Sequence, residues 1–151
     1  MDIPMQVDGC EILHELALEA RASALIEMRR QVTEFLTQAN CTVSEIQSII
    51  IALSEACTNI IRHAYHGDSG KPIRMTIELD GEVVHFELLD CAAPIDLERV
   101  RGRSLDELRP GGLGVNFIAQ LMHDVHYSHR TEDAGNCLRM TWKRQPQKVN
   151  N

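Results

Sequence analysis

Ile46, Ile49, Ile50, Leu53, Cys57, Ile60, Ile61 and Ala64 recur at the i, i+3, i+4, i+7 spacing of one helical face. That periodicity predicts an amphipathic helix from about Ser44 to Tyr65, with the stripe turned to the core. Ser44 and Gln47 fit the Ser-x-x-Gln capping box, so the helix is expected to start near Ser44. At roughly 100° per residue, Glu55 falls about 180° from the centre of the stripe and Asn59 about 40° further round. The two polar groups are thus expected side by side, off the core.

Upstream, Leu25, Met28, Val32, Phe35, Leu36 and Ala39 mark a first helix ending near Asn40, and His14 to Ala20 alternates weakly, as an edge strand would. Downstream, the turn cluster His66-Gly67-Asp68-Ser69-Gly70 precedes two alternating runs, Ile73 to Leu79 and Val83 to Leu89, joined by Asp80-Gly81. Asp-Gly between alternating runs is a strong hairpin signal. From Cys91 to Gly112 the pattern dissolves into Pro94, Gly102, Pro110 and many charges, a long loop with one helical turn at Leu97 to Val100. Loops of such length tend to be functional lids or disordered. Val115, Ile118, Ala119 and Met122 then form a short helix, followed by strand Val125 to Arg130, the turn Glu132-Asp133-Ala134-Gly135, strand Cys137 to Trp142 and a polar tail after Arg144. Helices first, then strands with a helix inserted among them, predict a two-layer α+β sandwich: a mostly antiparallel mixed sheet with helices on one face.

Length and composition narrow the function. A chain of 151 residues suits one domain with a full core, and no repeat or linker divides it. Its 22 acidic against 15 basic residues give a net charge of -7, which argues against nucleic acid as a partner. No apolar run reaches the roughly 20 residues of a membrane span, and Met1 to Glu11 lacks the basic start and apolar centre of a signal peptide. A cytoplasmic protein with no membrane partner is therefore expected. The five cysteines, Cys10, Cys41, Cys57, Cys91 and Cys137, are odd in number and contain no Cys-x-x-Cys pair, so no disulfide framework is expected. His123, His126 and His129 recur every third residue, yet their segment alternates as a strand and no thiol or carboxylate completes a zinc ligand set. A metal-dependent hydrolase built on these histidines therefore has no ligand set behind it.

Three candidate pieces of a site remain. One is the Glu55/Asn59 pair. The second is Asp90, where strand alternation stops and the loop begins. The third is Gly111-Gly112-Leu113-Gly114, at a helix start, where backbone amides approach an anion closely and the helix dipole favours negative charge. In this order they resemble the nucleotide-binding motifs of the GHKL ATPase superfamily, whose domain is the Bergerat fold. More narrowly, the chain is similar to the RsbW-like anti-sigma-factor serine kinases of bacterial partner switching. The similarity lies in Glu55-Ala56-Cys57-Thr58-Asn59-Ile60-Ile61-Arg62-His63-Ala64-Tyr65, in Gly111 to Ile118, in Leu121 to Tyr127 and in Gly135-Asn136-Cys137-Leu138, and it runs from about Leu16 to Lys143.

The resemblance implies ATP and Mg²⁺ as cofactors. Asn59 would bind the metal through its amide oxygen, and Glu55 would be the general base toward an incoming hydroxyl. Asp90 would accept from the exocyclic amine of adenine, the glycines would make room for the phosphates, and 91–110 would form the lid. Arg62 lies on the outer face and is a candidate for phosphate; His63, at the border of the two faces, reads as structural. The implied partners are a STAS-domain antagonist, phosphorylated on serine or threonine, and a sequestered sigma factor or other regulator. Arg21, Arg29 and Arg30 are candidates for the partner surface, and some family members form a homodimer. One departure stands out. The adenine box of the superfamily is Asp-x-Gly-x-Gly, whereas this chain has Asp90-Cys91-Ala92-Ala93-Pro94, so Ala92 occupies the place of a glycine. A Cβ there would crowd the base if the backbone required positive φ. The alternative function follows from that departure: a sequestering module of the same fold without catalysis or ATP.

Overall fold

The computed structural model describes residues 5–7, 11–67, 70–101, 118–131 and 134–145. Among these residues, six strands form one sheet in the order β1-β2-β3-β4-β6-β5: β1 is Met5–Val7, β2 Glu11–Glu19, β3 Pro72–Asp80, β4 Val83–Asp90, β5 Asp124–His129 and β6 Asn136–Lys143. Every neighbouring pair is antiparallel. The expected sandwich is present, with its sheet antiparallel throughout rather than mixed. β2 pairs with β3 from Ile12 to Glu19 and with the short β1 only at Glu11 to Leu13, so among the described residues the run from His14 onward has a strand on one side only, as an edge does.

Helices α1 (Ala24–Gln38) and α2 (Val43–Asn59) cover one face of the sheet. Met28, Val32 and Leu36 from α1, and Ile49, Ala52, Leu53 and Ala56 from α2, meet Met75 and Ile77 of β3, Val84, Phe86 and Leu88 of β4, and Met140 of β6 in one buried cluster. Phe86 is 1% exposed, and losing a side chain of that size from such a core costs roughly 3–5 kcal/mol. Asn40, at φ +61, takes the left-handed conformation that closes α1, and Cys41 N–H then bonds to the Leu36 carbonyl.

The start of α2 differs from expectation. Its cap is Thr42, whose Oγ1 accepts from Glu45 N–H while Glu45 Oε1 accepts from Thr42 N–H, both at 3.1 Å. Ser44 and Gln47 have the same spacing but lie inside the helix, two residues past this pair, and the Glu45 carboxylate has further donors. Trp142 Nε1 donates to it at 2.7 Å and Gln145 N–H at 3.1 Å. Glu45 is 3% exposed. Burial opposes its ionisation, yet those donors outweigh burial and hold the carboxyl below its ordinary value.

The buried stripe of α2 also lies elsewhere than its branched residues indicate. Ile46, Ile50, Ile61 and Ala64 are only half-buried, whereas Ala52 and Ala56 are fully buried. Small alanines where the helix approaches the sheet, and a hydrogen-bonded Glu45, carry the contact without adding to the apolar pattern.

The hairpin is placed as expected with its turn one residue later: Asp80 still pairs with Val83, and Gly81, at φ +57, opens the two-residue connection. Helix α3 (Leu97–Arg101) is the expected helical turn in the loop, and 118–121 forms another. Arg144 ties the two layers, donating from Nη1 to the Ala39 carbonyl at 2.5 Å and from Nη2 to the Gly81 carbonyl at 2.6 Å. The open face of the sheet is polar and slightly concave, lined by Thr76, Glu78, His85, Glu87, Asp124 and Arg139. Among the described residues, no helix is long and apolar enough to cross a membrane.

Candidate nucleotide site

The end of α2 sets out the first half of the site. Glu55 and Asn59 are half-buried, not opposite the core. With the stripe centred on Glu45, Ile49, Ala52 and Ala56, Asn59 stands roughly 50° and Glu55 roughly 90° from its centre at 100° per residue. They occupy the shoulder where helix meets sheet. Asn59 Nδ2 is buried and has no hydrogen-bond partner. A buried amide donor left unmatched costs on the order of 1–3 kcal/mol, so the orphaned group is the kind that an acceptor from a ligand would satisfy. Cys57, on the buried side, is an inert thiol, pushed up to about 12 by burial.

After Asn59 the helix widens. Ile60–Ala64 is a π turn, and Tyr65 N–H reaches back five residues to the Ile60 carbonyl at 2.9 Å. His66 (φ +52) and Gly67 (φ +77) then reverse the chain. Arg62 and His63 are exposed, so the border position expected for a structural His63 does not hold; the wide turn rotates it outward. Tyr65 is 6% exposed. Its hydroxyl donates to the Pro72 carbonyl at 2.6 Å and accepts from Cys91 N–H at 2.7 Å, joining the end of α2 to the starts of β3 and of the loop after β4. Burial pushes the phenol above its ordinary value, so it stays a donor.

Asp90 forms the other half. Along β4 the buried positions alternate as Val84, Phe86, Leu88 and Asp90, so the carboxylate occupies a core position on the helix-covered face. It is 4% exposed, and Oδ1 accepts from Ala92 N–H at 2.9 Å, Asn136 N–H at 3.2 Å and Asn136 Nδ2 at 3.0 Å. Arg130 Nη1 donates to the Asp90 carbonyl at 3.3 Å and to Cys91 Sγ at 3.4 Å. Gly135, at φ +141, packs its backbone on the same carbonyl, where a Cβ would meet the oxygen at 1.9 Å. Ala92 is 6% exposed and does not adopt positive φ, so its Cβ sits in the core without strain.

The structure therefore brings Asn59, Glu55, Asp90 and Ala92 to the helix-covered side of one sheet. Gly111, Gly112, Leu113 and Gly114, with 102–110 of the expected lid, lie outside the described residues. Tyr65, Arg130, Gly135 and Asn136 are the members that periodicity did not single out, although Tyr65 and Gly135-Asn136 stand inside the motif runs quoted above. The arginines proposed for a partner surface are engaged locally: Arg21 with Glu19, Arg29 with Ser54 Oγ, and Arg30 with Glu27 and Glu34. The Arg30 guanidinium and then Gln31 hold Glu27 down to about 2. His123 Nδ1 accepts from Lys143 N–H and His129 Nε2 pairs with the Ile95 carbonyl, and among the described residues no group of three or more His, Cys, Asp or Glu is set to hold a metal.

A buried aspartate thus ends an inner strand on the sheet face that is covered by the helix carrying the orphaned asparagine amide. The model of the histidine kinase-like ATPase domain matches residues 18–142, and the chain belongs to that family. Within it, the chain is similar to proteins named serine-protein kinase RsbW. The one from Halalkalibacterium halodurans is 28% identical over 91% of this chain and 86% of its own length, and one from Bacillus cereus 28% identical over 91% and 88%. Two solved structures share the fold. The RsbU and RsbW domains of Rv1364c from Mycobacterium tuberculosis match with a TM-score of 0.63 at 20% identity over 92% of this chain, which spans 34% of that longer one. The SiaB–SiaC complex from Pseudomonas aeruginosa matches with a TM-score of 0.62 at 18% identity, over 83% of this chain and 88% of that one.

Proposed function

We propose that this protein is an ATP-dependent serine/threonine kinase of a bacterial partner-switching system, which phosphorylates a STAS-type antagonist and sequesters a sigma factor or another regulator. The observation that carries the reading is the half-buried Glu55/Asn59 pair, whose asparagine amide lacks a partner although it is buried. The likeness to RsbW serine-protein kinases over 91% of the chain supports a protein substrate.

When bound, Mg²⁺-ATP supplies the phosphoryl group and the charge neutralisation for its transfer. Asn59 would hold the metal through Oδ1, and its unpartnered Nδ2 would donate to a phosphate oxygen. Glu55, one turn earlier on the same shoulder, takes the proton from the incoming serine or threonine hydroxyl. Asp90 selects the base: Oδ1 is saturated, so Oδ2 accepts from the exocyclic amine of adenine. Arg62, exposed three residues beyond, would contact phosphate, and Gly111, Gly112, Leu113 and Gly114 would give the phosphates backbone room. The alternative, a module without ATP, drew on Ala92 in place of glycine. Ala92 binds Asp90 through its N–H without positive φ, which removes the reason to expect a blocked site.

Calorimetry with Mg²⁺-ATP tests the reading. The wild type binds, Asn59→Ala loses the metal-dependent part of the affinity by at least about tenfold, and Glu55→Gln still binds but does not transfer phosphate. Absence of binding by the wild type would overturn it and leave the sequestering module.

A further inference from the structure

Asn136 opens β6 with its side chain 5% exposed, and it uses both ends of its amide. Nδ2 donates to Asp90 Oδ1 at 3.0 Å and to the Ala93 carbonyl at 3.1 Å, and Oδ1 accepts from Ile95 N–H at 2.9 Å. Its backbone N–H also donates to Asp90 Oδ1. One residue therefore binds the carboxylate twice and the loop after it twice.

Two consequences follow. A carboxylate with one oxygen filled by three donors has its plane fixed, so its second oxygen points in a single direction. The loop itself, Cys91 to Ile95, contains no glycine and takes no positive φ. Its path is imposed by bonds from another strand, not by backbone freedom. Only an asparagine or glutamine amide offers two N–H donors and an acceptor together, and aspartate would place a second carboxylate against Asp90. Gly135, with no Cβ to strike the Asp90 carbonyl, is what lets the backbone of Asn136 approach this closely.

The geometry points to Asn136 as the positioning residue for base recognition: it aims Asp90 at the 6-amino group of adenine and shapes the loop in place of the absent adenine-box glycines. This rests on the ATP-binding reading above. A merely structural asparagine would weaken every nucleotide alike. A positioning asparagine weakens the one that has the amine.

The test compares ATP with inosine triphosphate, which has a carbonyl in place of that amine, by calorimetry on the full chain with Mg²⁺, with thermal melts to establish that each variant is folded. The wild type is expected to favour ATP. In Asn136→Ala, ATP affinity falls on the order of tenfold, as for a misaligned charged hydrogen bond, while inosine triphosphate affinity changes less than about twofold. Asn136→Ser, which keeps one donor, gives an intermediate ratio and serves if the alanine variant does not fold. A ratio equal to the wild type's in every folded variant overturns the inference. A wild type that binds both nucleotides equally overturns it while leaving the kinase reading intact, and a wild type that binds neither removes both.

Discussion

Replacing Tyr65 with phenylalanine keeps the ring in its buried seat and removes one oxygen. That oxygen donates to the Pro72 carbonyl at 2.6 Å and accepts from Cys91 N–H at 2.7 Å. Each bond contributes a net ~1 kcal/mol, and a partner left dry costs up to ~3. Pro72 and Cys91 are exposed residues, so water can reach the freed carbonyl and amide, and the lower figure applies to each. The expected loss is therefore about 2 kcal/mol, which for a chain of this size lowers Tm by roughly 4–8 °C. Urea unfolding followed by circular dichroism near pH 7, where the buried phenol is protonated, measures it. Hydrogen exchange adds a local readout, because the Cys91 amide should lose protection in the variant well beyond the global change in stability. A Tyr65→Phe protein within about 0.5 kcal/mol of the wild type, with the Cys91 amide still protected, would refute the claim that this hydroxyl joins helix, strand and loop.

Glu45→Gln should cost about 1–2 kcal/mol at neutral pH, since charged acceptors make the stronger bonds. Because the folded carboxyl lies below its unfolded value, that stabilisation is present above the ordinary carboxylate range and is lost as pH falls through the folded value; the gap between wild type and variant in urea melts should close on acidification, and a gap that widens would contradict the assignment. Gly135→Ala places a Cβ 1.9 Å from the Asp90 oxygen at φ +141, so about 3 kcal/mol of destabilisation and a loss of ATP binding are expected in melts and calorimetry, and a variant of wild-type stability would contradict the packing. Ala92→Gly should lose about 0.5–1 kcal/mol in the same melts through backbone freedom and gain no nucleotide affinity; a tenfold gain would mean that the bound loop needs positive φ after all.

Much of this fold was legible because its core sits on regular elements. The alternation of Ile73 to Leu79 and Val83 to Leu89 led to β3 and β4, and the spacing of Leu25, Met28, Val32 and Leu36 to α1. The shortfalls share one cause, that hydrophobicity counts only large apolar groups. Ala52, Ala56 and a hydrogen-bonded Glu45 carry the inner face of α2, so the stripe read from its isoleucines was rotated and the cap displaced by two residues. Within the proposed site, Glu55 and Asn59 stand out as a polar pair off the apolar stripe, and Asp90 as the residue where strand alternation stops. Asn136 does not stand out, since its meaning comes from Asp90, Ala93 and Ile95, and only the pairing of β4 with β6 makes them neighbours.

The π turn at Ile60–Ala64 also absorbs one residue. Five residues separate Asn59 from Tyr65, and Tyr65 N–H bonds to the Ile60 carbonyl five positions back instead of four. Because a π turn closes on the fifth residue where an α turn closes on the fourth, one residue fewer would rewind as ordinary α-helix and bring the tyrosine to nearly the same direction, toward Pro72 and Cys91. The surplus is taken up on the outside, where Arg62 and His63 are exposed. Asn59, at one end of the proposed site, and Tyr65, tied to Cys91 beside Asp90 at the other, therefore keep their mutual register whether the stretch between them is wound as π or as α.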